Sequence, residues 1–161
     1  MSGFADLLRP GPPSFHLTDA SHADLGDSTI ALSRERPTAA VRRLRGSRCR
    51  STSGLFDELA AALQFPAYFG ANWNAVHDML TDLRWLPAES YLLVVEDADD
   101  LLADEDDAVL AAGLRVFATS AESAAPVPFR FVMQAAPDGR TARTLNANGT
   151  AFDTTAQPPL P

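Results

Sequence analysis

Asn74, His77 and Asp78 stand three and four positions apart in residues 73–83. A helix over this run places them together on one polar face, with Thr81. Trp73, Val76, Leu80 and Leu83 recur at the same spacing and predict a buried stripe on a different face. Tyr68 and Gly70 stand on the segment entering that helix, and Asn72 is placed to cap it. An aromatic anchor, a glycine turn, amides and one carboxylate make a surface suited to binding another protein, where aromatics supply area and charge supplies specificity. The same residues make a poor catalytic set. Asp78 and His77 lack a third orienting group at any recognisable spacing, so the chain reads as a non-enzyme.

Other chemistries are thin or absent. GxSxG, HExxH, GxGxxG and paired CxxC patterns do not occur. All thirteen basic residues are arginine, which excludes a P-loop lysine or a Schiff base. Cys49 is the single cysteine, excluding an internal disulfide and a multi-cysteine zinc site. Its neighbours Arg48 and Arg50 would favour a thiolate, yet no partner base marks it as a nucleophile. The acidic run EDADDLLADEDD (96–107) departs from a calcium loop: two leucines interrupt it and the central glycine is missing. Helix capping explains Asp104, Glu105 and Asp106 better. No metal or cofactor is expected.

The chain has 161 residues, with 46% hydrophobic residues and a formal net charge of -8. Residues 78–107 hold eleven acids against Arg84 alone, whereas residues 1–50 hold eight arginines against five acids. Such an acidic half repels nucleic acid and attracts basic proteins, while most of its carboxylates serve only solubility and long-range steering. The N-terminal MSGFADLLRPGPPSF lacks a basic region followed by an apolar stretch, and no run is long enough to cross a bilayer. The expected address is the cytoplasm, with no membrane partner and a monomeric free state.

The elements follow from the pattern. Residues 39–44, 91–95 and 129–133 read as strands. Helices are expected from Ser51–Thr52–Ser53 to about Gln64, from Trp73 to Leu83, and over 104–120. This order gives an α/β domain with a small three-stranded parallel sheet covered by helices, spanning 39–134. Residues 1–38 form an extension with one or two short strands, over 14–18 and 28–33. Residues 135–161, rich in Pro, Thr and Asn, read as a flexible tail with a weak hairpin near Asn148–Gly149.

The segment 65–83, FPAYFGANWNAVHDMLTDL, resembles the signature region of the barstar family of ribonuclease inhibitors. The resemblance rests on Pro66, the aromatic pair Tyr68–Phe69, Gly70, Asn72, a large apolar residue, Ala75, Asp78 and Leu80, and extends more weakly over 39–134. It implies a fold with a three-stranded parallel sheet, and a protein that blocks the active site of a basic extracellular-type microbial ribonuclease with the second helix and its preceding loop. Asp78 then matches the carboxylate that occupies the phosphate pocket, and Tyr68, Gly70 and Asn72 match the loop and helix start. Three positions depart from the pattern: Asn74 stands where a second Asp is usual, His77 where an aromatic packs on the partner, and Thr119 near an acidic contact. The alternative these departures leave is a barstar-like interaction or immunity module for a different basic partner or toxin.

Overall fold

The three apolar runs expected to be strands pair in parallel, and two further strands join them. The structure, a computed structural model, describes residues 4–155. Strands Phe15–Thr18 (β1), Ala39–Arg45 (β2), Ser90–Glu96 (β3), Phe129–Gln134 (β4) and Phe152–Thr155 (β5) form one sheet in the order β2-β3-β4-β1-β5. Every neighbouring pair is parallel. The helices are His22–Glu35 (α1), Thr52–Leu63 (α2), Trp73–Asp82 (α3), Asp107–Ser123 (α4) and Arg140–Ala147 (α5). The sheet is therefore five strands wide, not three. Of the extra pair, β1 lies within the short strand expected over 14–18, whereas β5 has four residues, too few for periodicity to register.

Two segments differ from the sequence expectation. Residues 28–33, expected as a short strand, lie inside α1. Ser21 caps that helix by accepting from the Asp24 amide, and Leu25, Ser28 and Leu32 are buried at helical spacing. Residues 135–155, expected as a flexible tail, contain α5 and β5, which runs parallel to β1 rather than closing a hairpin. Asn148 ends α5 and Gly149, at φ +68°, turns the chain toward β5. The tail expectation for 156–161 lies outside the described residues.

Period-two alternation divides the sheet's side chains between two cores. Phe15, Leu44, Leu93, Val95, Phe131 and their neighbours meet α2, α3, α4 and α5 on one face. Leu92, Val94 and Val132 meet Leu25 and Leu32 of α1, with Phe4, on the other. All seven residues of β3 are buried, as its unbroken apolar run requires. A stack of Phe117, Phe131 and Phe15, with centroids 4.8 and 5.1 Å apart, ties α4 to β4 and β1. That tie anchors α4, on which α3 rests.

Candidate functional site

The site begins with a helix that the core holds in place. Val76 and Leu80 of α3 are fully buried, and Leu83 closes the helix in the left-handed conformation at φ +47°. Asn72 caps the other end: its Oδ1 accepts from Ala75 N at 2.8 Å, and its Nδ2 donates to Gly70 O at 3.2 Å. The entering loop is held by rings. Trp73 packs edge-on against Phe56 at 5.0 Å, Phe69 against Phe65 at 4.9 Å, and Phe65 against Trp85 at 6.3 Å. Trp85 Nε1 donates to Leu63 O at 2.9 Å. The loop cannot swing without dismantling this cluster. Sequence reading missed it as a unit, although its members stand out as aromatics at 56, 65, 69, 73 and 85.

On that support the structure brings the expected residues together. Tyr68, 66% exposed, is the largest exposed apolar side chain of the described residues. Gly70, Asn72 and Asn74 are exposed and His77 is half-buried. The Asp78 side chain is 78% exposed, with His77 Nδ1 3.9 Å from its Oδ1 and no arginine paired to it among the described residues. Thr119 is exposed on α4, its hydroxyl turned back to Arg115 O at 3.0 Å. The left-handed residue of the entering turn is Ala71, at φ +50°, not Gly70. Gly70 is instead crowded by the cap: a Cβ there would meet Asn72 Nδ2 at 3.2 Å. Arg84 also belongs to this surface. The Asp82 hydrogen bond first, and the nearby Tyr68 phenol after it, push the guanidinium pKa up.

Two other expectations change. Cys49 is fully buried, and burial pushes its thiol pKa up to about 12, so the flanking arginines do not produce a thiolate. The acidic run is not merely a solvated surface. Arg50 pairs with Asp100 and Asp104, Glu105 accepts from Thr52 N, and Asp99 accepts from Ala136 N and Thr141 N. These contacts fasten α2 and α5 to the loop between β3 and α4. Among the described residues no group of three or more His, Cys, Asp or Glu is arranged to hold a metal ion. A crevice of about 340 Å³ at the carboxyl ends of the strands is lined by Asp19, Asp97, Asp99 and Asp100, a lining that repels phosphate. No helix of the described residues is long and apolar enough to cross a membrane.

The chain is an α/β protein with a parallel sheet that presents a helix face carrying the exposed carboxylate of Asp78. Residues 39–134 match the family model Barstar (barnase inhibitor), and the chain belongs to that family. The match runs from the first residue of β2 to the last of β4, so it holds the whole candidate site and leaves β1, α1, α5 and β5 outside. No curated protein matches the chain. Among solved structures it is similar to that of the Aeropyrum pernix ORC2 protein (ADPNP-ADP complexes), at 11% identity and a TM-score of 0.55, over 96% of this chain and 43% of that one. At this identity the likeness is one of fold alone, and the chain spans less than half of that protein's length.

Proposed function

We propose that the chain is a cytoplasmic, non-enzymatic inhibitor of a basic ribonuclease, whose active site it occludes with α3 and the loop before it. The observation that carries this reading is the exposed carboxylate of Asp78, on a helix fixed at both caps within the Barstar match. A ribonuclease gathers cationic side chains around the scissile phosphate. A rigid carboxylate entering that pocket replaces the phosphate with charge-assisted hydrogen bonds. Tyr68 supplies contact area beside it, and Gly70, Asn72, Asn74 and His77 complete the surface. The net charge of -8 steers a basic partner toward the complex. No metal or cofactor enters this reading, and the free protein is a monomer.

The test is to titrate the purified chain against small secreted guanyl-type ribonucleases while following RNA cleavage. Stoichiometric loss of cleavage supports the proposal, and unchanged cleavage at large excess removes it. One observation favours a second reading: Asn74 and Thr119 are both exposed and neutral, leaving Asp78 as the main charge of the face. The chain would then be an immunity or interaction module for another basic partner or toxin. Complex formation with such a partner, without inhibition of RNA cleavage, distinguishes it.

A further inference from the structure

At the opposite end of the sheet from the carboxyl-lined crevice, a groove of about 650 Å³ lies between the loop before β1, the end of α4 and the turn before β5. Its lining includes Pro10, Pro12, Ala121, Val127 and Pro128, and it also includes Arg130 of β4. Arg130 is only 5% exposed. Its Nη1 donates to Phe129 O at 3.1 Å, and its Nη2 to Arg9 O at 2.6 Å and to Gly11 O. All three acceptors are neutral carbonyls, and no carboxylate of the described residues pairs with this guanidinium. Burial accordingly pushes its pKa down, with no acid to oppose the shift.

Arg140 gives an internal contrast. It too is mostly buried and donates to the carbonyls of Leu101 and Leu102, but Asp107 lies 3.2 Å from its Nε. A buried charge without a counter-charge is costly, and among the described residues Arg130 has carbonyl acceptors alone, so an anion beside it would be favoured. Its carbonyl contacts leave further N–H donors free for a ligand oxygen. Groove volume and lining suit a small molecule, since ligand sites run to about 300–1,000 Å³ and combine apolar walls with few polar groups. The carboxylate on the lining, Glu122, is exposed and makes no ion pair with Arg130 among the described residues.

We propose that this groove binds a small organic acid, with its apolar body against the prolines and alanines and its carboxylate against Arg130. The site is separate from the α3 face and stands whether or not that face inhibits a ribonuclease.

Calorimetric titration of the full chain with octanoate, and with octanol as its uncharged counterpart, tests it. Octanoate should bind about tenfold or more tighter than octanol, the worth of a charge-assisted hydrogen bond. Arg130→Gln should erase that preference, and Val127→Asp, which places a carboxylate in the groove, should abolish octanoate binding. Glu122→Gln should tighten it. The Val127 and Glu122 changes are at exposed positions and keep the test decisive if the Arg130 variant does not fold. Equal binding of the two probes, no binding of octanoate, or undiminished binding by the Val127→Asp variant overturns the proposal.

Discussion

The indole of Trp73 lies so close over Gly113 that a Cβ built on the glycine would come 2.9 Å from Trp73 Cη2. Gly113 sits inside α4, where glycine costs about 1 kcal/mol relative to alanine. The cost is explained by the contact. With no side chain between them, α3 seats directly on α4, and the ring that locks it also packs against Phe56 of α2. The rigidity of the Asp78 face therefore originates one helix away from it.

Gly113→Ala should lower stability by about 1–2 kcal/mol despite the gain in helix propensity, because the pinned indole cannot yield without repacking. Urea unfolding measures the loss. Binding of the partner should weaken as well, although Gly113 does not belong to the proposed contact face.

Ala71→Gly should raise stability by about 0.5 kcal/mol. A left-handed alanine costs about 1 kcal/mol, and glycine's greater freedom in the unfolded chain returns part of that. Ala71→Val should lower stability, since a branched side chain tolerates positive φ still less. Thermal unfolding of the two variants should bracket the native protein.

Asp99 and Asp106 should respond very differently to alanine. Asp99 accepts from two backbone amides, Ala136 N at 3.0 Å and Thr141 N at 2.9 Å, and its removal should cost about 1–3 kcal/mol. Asp106 is exposed and makes no capping hydrogen bond, so its removal should stay within about 0.5 kcal/mol. Denaturant midpoints of the two variants decide whether the acidic run is structural.

The side-chain hydrogen bond from Arg45 holds the Glu58 carboxyl below the usual carboxylate range. A depressed carboxylate stabilises the fold above its unfolded pKa of about 4.3, and that contribution is lost as pH falls through the lower folded value. Glu58→Gln should therefore reduce stability near neutral pH and flatten the loss of stability below about pH 4.3. Urea unfolding across that range measures both effects.

The middle of the chain was legible because its elements are long and periodic. Residues 39–44, 91–95 and 129–133 became β2, β3 and β4 with at most one residue added at an end, and Ser51 and Asn72 cap the helices they were expected to cap. The site helix was legible for the same reason: Trp73, Val76, Leu80 and Leu83 left Asn74, His77 and Asp78 outward. The flanks were legible only in part. Ser28, Thr29 and Ile30 have modest helix propensity, and α1 is a helix through the Ser21 cap and the burial of Leu25 and Leu32 against the sheet. Strand β1 falls within the run 14–18 expected as a strand, but its place between β4 and β5, and β5 itself, rest on pairing across more than a hundred residues, Phe15 opposite Phe131 and Phe152, which local pattern does not encode. Ala71's left-handed turn and Gly113's contact with Trp73 are likewise tertiary facts.

The most direct test of the inhibitor reading is the affinity of the native protein and Asp78→Ala for a small, basic, secreted ribonuclease, measured by calorimetry with both proteins folded. Asp78 is exposed and supports no core contact, so its removal should leave stability unchanged. Loss of an anion-mimicking charge buried on binding should weaken the complex by about 2–5 kcal/mol, a factor of roughly 30 to several thousand. Undiminished affinity of the Asp78→Ala protein for a nuclease that the native chain inhibits would contradict the account.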